Sequence, residues 1–436
     1  MTADNPPPLR VEQALKLLPD VDALTPLRAF VVASSWVRRP SGPHATVGKR
    51  YVQPADLLEL VPRAVAQVSE HLTGLYEAAI EAMQAEQDGD PARAVRALQR
   101  AGDREAQVGR RQQAHRWYEQ ALRIAEGLHD RRPEIDTLIR LGELEARQDR
   151  HDSAARHYQR GLVLAEAEQE HESVTRACDG LGQAALAREQ WDGAGAWYAR
   201  GLQHADGDSR LAARLHLGEG EAALGRGDYD AAAEAVRRSR ELSAEANDRV
   251  GLARSLHILG RLRAAQGRHE EALSAYTEAL ARLRPDASSP ALEVEIRLDI
   301  CRLYLDWDRL ADADSEARRT EERAIVHNLT RSLARLYVVM GRVRGREHDD
   351  AGFVFFEKAI ELCRGAEPAP RLEAEVYREY GRFRGRLGDR DEARAYLERA
   401  REILDAAGDS GAIAALDAEL ADVRSARDGT GTPRGA

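Results

Sequence analysis

The sequence predicts an all-α protein in which about eight helix hairpins stack into an α-solenoid behind a short irregular N-terminal segment. Three observations favour this class. Alanine, leucine, glutamate and arginine dominate the composition, whereas aromatic residues make up only 5% of the chain. No run rich in Val, Ile and Thr has the pattern of a β-strand. A skeleton of small and large residues also recurs about every 40 residues.

The composition is that of a folded protein that does not enter the membrane. Of the 436 residues, 43% are hydrophobic and 32% are charged. The net charge of −10 argues against attraction of the whole molecule to nucleic acid or to an anionic membrane. Because we find no secretory signal and no apolar stretch long enough to span a bilayer, we expect a cytoplasmic protein. Cys178, Cys301 and Cys363 form no C-x-x-C motif and are expected to be buried, reduced thiols.

The repeated skeleton starts at a pivot position, which is glycine in seven units and cysteine in one. A small residue follows twelve positions later, a larger residue four positions after that, and a second small residue three positions further on. The pivots are Gly102, Gly142, Gly182, Gly220, Gly260, Cys301, Gly341 and Gly381. The larger residues are Tyr118, Tyr158, Tyr198, Val236, Tyr276 and Leu397, with Ala317 and Phe356 in the two less regular units.

Each unit is interpreted as two helices. The small–large–small spacing of i, i+4 and i+7 forms one stripe of an α-helix. Small residues let two helix backbones approach closely, and the aromatic side chain fills the remaining gap. Polar stretches such as "RQDRHD" and "LGDRDE" separate the two helices of a unit. No single unit can bury its apolar face, so neighbouring units are expected to stack.

This skeleton, from roughly Ala92 to Leu404, resembles the tetratricopeptide repeat family. The period is about 40 residues, longer than the usual 34 of that family. The stretch "ALQRAGDREAQVGRRQQAHRWYEQALRIAE", Ala97–Glu126, is similar to the first repeat in the tails of bacterial signal-transducing ATPases and large transcription activators. Because the sequence lacks a G-x-x-x-x-G-K-[ST] motif, a free-standing repeat protein is implied. The resemblance also implies that the solenoid is right-handed.

The repeats divide the chain into four parts. Residues 1–66 are expected to form an N-terminal tail and a capping or docking segment, and residues 67–410 the solenoid. Residues 411–428 are expected to be a C-terminal capping helix and residues 429–436 a disordered tail. Three interpretations of the first part stay open, namely a cap on the first repeat, a partner-docking segment, or a winged-helix-like or MerR-like element whose basic loop at 38–52 contacts DNA.

The resemblance implies that the residue after each pivot lines the concave groove. Its charge changes sign once, because acidic or polar residues occupy it in the first four units and arginine in the last four. The residues are Asp103, Glu143, Gln183, Glu221, Arg261, Arg302, Arg342 and Arg382. The resemblance thus implies a groove that is acidic in its N-terminal half and basic in its C-terminal half.

The basic half is the candidate binding site, and the expected partner is a protein or peptide with an acidic segment, such as a C-terminal carboxylate or a Glu/Asp-rich helix. Four or five exposed ion pairs supply only about 2–4 kcal/mol, whereas micromolar binding needs about 8 kcal/mol. The partner must therefore also insert apolar anchors. The candidate arginines are Arg254, Arg261, Arg302, Arg335, Arg342, Arg346, Arg378, Arg382 and Arg386, and the candidate receivers of the anchors are Ile258, Leu298 and Val338. The alternative is a solvated face with a chance pattern of charges.

The sequence contains no motif of a hydrolase, a dinucleotide-binding enzyme or a zinc site. We therefore expect no enzymatic activity, no cofactor and no metal ion. His348, Asp349 and Asp350 are interpreted as a charged turn and not as metal ligands.

The leading hypothesis is a non-enzymatic interaction scaffold or adaptor that binds a peptide or helix in the concave groove. One alternative is a regulatory or sensor protein that acts on transcription, with the N-terminal segment contacting DNA. Another is a groove that binds phosphate or RNA, although few aromatic residues are available there to stack on bases. Self-association through an exposed terminal repeat is also left open.

Overall fold

The structure of the chain is a computed structural model. It describes residues 36–37, 48–49, 75, 77–78, 81–82, 85, 88–205, 207–283, 289–347, 350–365, 369–407 and 409–428. Seventeen α-helices lie in these ranges, which confirms the predicted all-α class. The chain divides into two compact units, residues 1–120 and residues 121–436.

Unit 1 contains a short strand pair and the first helix hairpin. Strand β1 (Trp36–Val37) pairs antiparallel with β2 (Gly48–Lys49), so that Trp36 lies opposite Lys49. Helix α1 spans Pro91–Gln107, and α2 spans Arg111–Ala125 and crosses the boundary between the units. Asp90 caps α1 by accepting a hydrogen bond of 3.0 Å from the backbone N–H of Arg93. The expectations for most of residues 1–66, for the start of the repeats at 67 and for the tail at 429–436 lie outside the described residues.

Unit 2 is a series of antiparallel helix hairpins. Its helices are α3 (Arg132–Ala146), α4 (His151–Ala167), α5 (His171–Ala187), α6 (Trp191–Leu202), α7 (Ser209–Arg226), α8 (Tyr229–Glu245), α9 (Arg249–Ala265), α10 (His269–Leu283), α11 (Pro290–Asp306), α12 (Leu310–Val326), α13 (Thr330–Arg346), α14 (Phe353–Gly365), α15 (Pro370–Leu387), α16 (Arg390–Ala406) and α17 (Ser410–Asp428). A short 3₁₀ turn, Asp350–Gly352, precedes α14. Several helices end at a residue with a left-handed backbone, such as Gly227 with φ of 76° and Gly388 with φ of 93°.

The odd-numbered helices of unit 2 form one row and the even-numbered helices form another. Each helix packs on the next, and odd-numbered helices from α3 to α15 also contact the following odd-numbered helix. Among the described helices, the even-numbered ones are more widely separated from one another. The closer spacing places the odd row on the inner, concave side of unit 2.

The pivot glycines lie directly against the large residues of the skeleton. A Cβ atom on Gly260 would lie 2.4 Å from Tyr276 Cε1, which is far inside van der Waals contact. The corresponding distance at Gly341 is 2.5 Å, measured to Phe356 Cε2. The repeat whose pivot is Cys301 has the reverse arrangement. Its pivot has a side chain, and the position that packs against the pivot is the small Ala317. The repeat therefore encodes a close contact in which one of the two residues must be small.

The three cysteines are buried and free, as expected. Burial raises the pKa of the Cys178 thiol to about 11 and that of Cys301 to about 12. Within the described part of the chain, no helix is long and apolar enough to cross a membrane. The same residues contain no group of three or more His, Cys, Asp or Glu side chains that could hold a metal ion. His348 and Asp349 lie outside the described residues.

Candidate functional site

The concave side of unit 2 contains a cavity of about 560 Å³ in the middle of the odd-numbered row. Helices α5, α7, α9 and α11 form its walls, and α6 and α10 each contribute one aromatic residue. The lining residues are Leu186, Ala187, Trp191, Glu221, Leu224, Gly225, Arg261, Ala264, Ala265, Tyr276, Asp299, Arg302, Leu303 and Asp306. The cavity therefore combines apolar surface with charged groups of both signs.

The apolar part of the cavity depends on the fixed position of Trp191. This residue begins α6, and its indole ring lies over Gly225 of α7, where an added Cβ would be 2.5 Å from Trp191 Cδ2. Arg226 donates a hydrogen bond of 3.3 Å to the carbonyl oxygen of Trp191 and so supports the same turn. Leu224 and Leu186 complete the apolar surface beside the ring. The apolar surface of the cavity is thus preformed around Trp191.

The charged groups of the cavity are joined in pairs, either between neighbouring helices or within one helix. Arg261 Nη1 on α9 donates to Glu221 Oε1 on α7 at 2.9 Å. Arg302 Nη1 donates to Asp299 Oδ1 at 3.1 Å, both residues being on α11. Burial raises the pKa of Glu221, and the guanidinium of Arg261 only partly opposes this effect.

Asp299 forms the floor of the cavity together with Tyr276 and a buried histidine. His257 Nε2 donates to Asp299 Oδ2 at 2.8 Å, and its ring centroid lies 5.8 Å from that of Tyr276. Burial acts to raise the pKa of Asp299, but the hydrogen bond and charge of His257 and the charges of Arg302 and Arg261 lower it below its ordinary value. The floor is therefore a satisfied polar network and not a row of free charges.

The candidate arginines differ in how much of their charge is available. Arg342 Nε lies 3.7 Å from Glu379 Oε2 and Arg342 Nη2 lies 4.0 Å from Asp306 Oδ1. Arg378 and Arg382 both bind Glu419 of α17, at 2.7 Å and 2.6 Å. The remaining candidates, Arg254, Arg335, Arg346 and Arg386, are exposed, and Arg346 has one acidic neighbour, Asp308, at 3.6 Å.

The acidic residues of the N-terminal half also have partners within the described chain. Arg176 lies 3.6 Å from Glu143 and 3.0 Å from Asp136. Arg214 binds Asp179 in the same way. In unit 1, Asp103 accepts a hydrogen bond of 2.7 Å from the hydroxyl of Tyr118. The change of charge along the sequence is real, but the structure compensates most of it.

The expected receivers of apolar anchors are buried in the structure. Ile258 is 4% exposed, Leu298 is 3% exposed and Val338 is 4% exposed. They face neighbouring helices because odd-numbered helices pack on each other as well as on their hairpin partners, which buries this side of the helix. A partner side chain could reach them only by displacing core contacts.

The apolar residues that do line the cavity were missed. One signal in the sequence could have found them, namely the residue five positions after each pivot. This position is small in three consecutive units, at Ala187, Gly225 and Ala265, and becomes Asp306 in the next. Small residues on an inward-facing row leave open space between helices. The Leu residues beside that row supply the apolar surface.

The comparisons with known proteins agree with this architecture. Residues 211–284 match the model of a tetratricopeptide repeat. This segment runs from α7 past the end of α10 and includes Glu221, Arg261 and Tyr276 of the cavity. No curated protein sequence matches the chain significantly.

Similar solved structures share the helical fold. A Rap protein complexed with competence and sporulation factor is 12% identical, with a TM-score of 0.52 over 82% of this chain and 98% of that chain. The apo form of the quorum sensor NprR from B. thuringiensis is 15% identical, with a TM-score of 0.52 over 79% of this chain and 99% of that chain. The Rap conjugation gene regulator of the plasmid pLS20, solved in complex with the Phr* peptide, is 14% identical, with a TM-score of 0.50 over 64% of this chain and 76% of that chain.

At such identities the likeness concerns the fold alone. The matched repeat segment, the hairpins of unit 2 and the recurring contact between a small pivot and a large partner are consistent with one another. Residues 211–284 therefore carry a tetratricopeptide repeat, and the rest of unit 2 continues the same helical pattern.

Proposed function

We propose that this protein is a non-enzymatic cytoplasmic adaptor or regulator that binds a peptide or a short helix in the concave groove of unit 2. The main observation in support is the cavity between α5, α7, α9 and α11. It is lined by Trp191 and by charged residues such as Glu221 and Arg261. A preformed apolar recess with a few polar groups is the usual form of a ligand site. Two of the similar structures were solved with peptides bound, which supports a peptide as the type of ligand.

The energetics favour an anchor in the cavity over purely electrostatic binding. Each exposed ion pair contributes about 0–1 kcal/mol, so the groove arginines alone do not reach the roughly 8 kcal/mol of a micromolar complex. Burying about 200 Å² of apolar surface at about 25 cal/mol per Å² adds about 5 kcal/mol. The partner is therefore expected to place an aliphatic or aromatic side chain beside Trp191 and Leu224, and its acidic residues near the arginines of α13 and α15. The charges then determine orientation and association rate more than affinity.

The test is a peptide selection against the full chain from a random library. Ala265 lines the cavity and is exposed, so Ala265→Trp fills the recess without disturbing the core. Ala199→Trp on α6 is the matched control, because it is an equally exposed helix position in the even-numbered row. We expect selected peptides to carry an apolar residue near acidic residues, and to lose binding to A265W but not to A199W. Peptides that bind both variants equally would show that the cavity is not the site.

A second candidate is a transcriptional regulator whose N-terminal segment contacts DNA. The supporting observation is the antiparallel pairing of β1 with β2, which brings Lys49 opposite Trp36. Arg38, Arg39 and Arg50, which would make the phosphate contacts together with Lys49, lie outside the described residues. The test is a gel shift of duplex DNA by the full chain at two salt concentrations. A shift that survives replacement of all four basic residues by Glu would eliminate this candidate.

A further inference from the structure

Four arginines of α13 and α15 form an arginine cluster on the concave side, next to the cavity. Arg342 and Arg346 are four residues apart on α13, and Arg382 and Arg386 are four residues apart on α15, so that each pair shares one face of its helix. The two pairs meet at Gly345. Arg386 Nη1 lies 3.9 Å from the position that a Cβ of Gly345 would occupy. The guanidinium of Arg386 therefore lies against α13.

This arginine cluster is neutralised at one end only. At the end formed by Arg342 and Arg382, the buried carboxylate of Glu379 lies 2.5 Å from Arg382 Nη1 and 3.7 Å from Arg342 Nε. Glu419 of α17 provides a second carboxylate for Arg382.

At the other end, the one acidic neighbour of Arg346 in the described part of the chain is Asp308, at 3.6 Å, whose side chain is 78% exposed. Arg386 has no ion-pair or hydrogen-bond partner among the residues that the structure describes. Partial burial and the neighbouring charges of Arg342, Arg346 and Arg382 lower the pKa of Arg386, and Glu379 opposes this effect only in part. The Arg346–Arg386 end therefore carries positive charge that the described chain leaves uncompensated.

We propose that Arg346 and Arg386, with Arg342 behind them, bind a phosphoryl group on the peptide that occupies the groove. A phosphoryl group carries a charge of about −1.5 to −2 and three acceptor oxygens, which suits several planar guanidinium groups at once. A single carboxylate would neutralise only one of the exposed arginines. This part of the inference rests on the proposed function, because the phosphoryl group is carried by the groove peptide.

The site adjoins the cavity and fits a phosphopeptide better than a nucleic acid. Asp306 lines the cavity and also lies 4.0 Å from Arg342, so one extended segment can reach both places. Single-stranded nucleic acid would need exposed aromatic rings for base stacking. The aromatic residues of α15 are buried, with Tyr377 4% exposed and Tyr380 and Phe383 each 1% exposed.

The anion site can be tested without any peptide. Inorganic phosphate is titrated into the full chain at constant ionic strength, with chloride as the replaced anion, and the melting temperature is followed. We expect a saturable rise, since a ligand that binds only the folded state stabilises it. The double variant R346Q/R386Q is expected to weaken phosphate binding by about tenfold or more. It should also melt no earlier than the wild type without phosphate, because it removes repulsion.

The control variant R210Q/R240Q removes the same number of charges at other helices of unit 2, α7 and α8. It is expected to bind phosphate as the wild type does. Equal phosphate binding by the wild type and R346Q/R386Q, or no saturable response of the wild type, would overturn the assignment.

The second arm uses a groove-binding peptide from the selection, made with serine, phosphoserine or glutamate at one position in turn. We expect the phosphoserine form to bind about tenfold more tightly than the glutamate form, and this difference to disappear in R346Q/R386Q. Equal affinity of the glutamate and phosphoserine forms would refute a preference for a dianion. A response to free phosphate with no effect of phosphoserine would refute the peptide-borne group. A failure of the proposed function is distinguishable. Peptides would then bind A265W as tightly as the wild type, while phosphate would still stabilise the wild type more than R346Q/R386Q.

Discussion

Arg331 on α13 donates a hydrogen bond of 3.0 Å from Nη1 to the carbonyl oxygen of Arg147, although 184 positions separate the two residues. The same guanidinium nitrogen lies 3.2 Å from Asp149 Oδ2. Asp149 occupies the turn between α3 and α4 with φ of 57°. The curvature of unit 2 thus brings an early turn against a late helix, and one arginine bridges them.

Replacing Arg331 by Ala is expected to loosen this bridge and to leave the hairpins intact. Arg331 and Asp149 are both about one-quarter exposed, at 27% and 26% of their side chains. The expected loss in the free energy of unfolding is therefore small, about 1–2 kcal/mol. Hydrogen exchange should accelerate at residues 147–151, and small-angle scattering should report a larger radius of gyration. Arg335→Ala, one turn along the same helix and exposed, is the control. Unchanged hydrogen exchange at residues 147–151 would mean that Arg331 does not stabilise this turn.

Gly260→Ala tests the contact that the repeat encodes. The new Cβ would lie 2.4 Å from Tyr276 Cε1, and because Tyr276 is 2% exposed it has little room to move. We expect a loss of about 1–3 kcal/mol in the free energy of unfolding, measured in urea. Gly365→Ala is the control, since an added Cβ there meets nothing within 4 Å and helix propensity favours alanine by about 1 kcal/mol. Equal stability of the two variants would show that pivot glycines are not selected by packing.

Two carboxylates of the cavity predict opposite responses to pH. The pKa of Asp299 is lowered in the folded state, so its contribution to stability is present above the ordinary value of 3.8 and is lost as pH falls through the folded value. The pKa of Glu221 is raised, so its ionisation destabilises the fold progressively as pH rises above the ordinary value of 4.5.

The measurement is the free energy of unfolding of the wild type, D299N and E221Q at several pH values from acid to neutral. The deficit of D299N relative to the wild type should grow as pH rises. The stability of E221Q relative to the wild type should improve over the same change. A deficit of D299N that does not depend on pH would contradict the network around His257.

Gly225→Ala should weaken peptide binding indirectly, through its effect on the position of Trp191. Its Cβ would lie 2.5 Å from Trp191 Cδ2 and push the indole from its place in the cavity. For a peptide obtained by selection, we expect a loss of affinity of about tenfold or more, measured by fluorescence anisotropy. Tryptophan emission should shift in the same variant. Gly193→Ala is the control, because its nearest neighbour would be 3.9 Å away. Full affinity in G225A would mean that Trp191 takes no part in binding.

The helix hairpins and their pivots could be predicted from the sequence because they depend on short-range order. The stripe of Ala272, Tyr276 and Ala279 is a property of one helix, and the close approach to Gly260 occurs within one hairpin. The cavity was harder to find. Its opening depends on the small residues Ala187, Gly225 and Ala265. They leave a recess only because α5, α7 and α9 pack next to one another.

The sequence by itself thus determined the helical class, the repeat and the change of charge after the pivots. The tertiary structure decided which of those charges are available. Arg261 meets Glu221 of the preceding hairpin across 40 positions, and Arg378 meets Glu419 of the terminal helix α17 across 41. Burial of Ile258, Leu298 and Val338 was decided in the same way, by contacts between helices of different repeats. Periodicity specifies the face on which a side chain lies, but only the packing of one repeat on the next determines what that face meets.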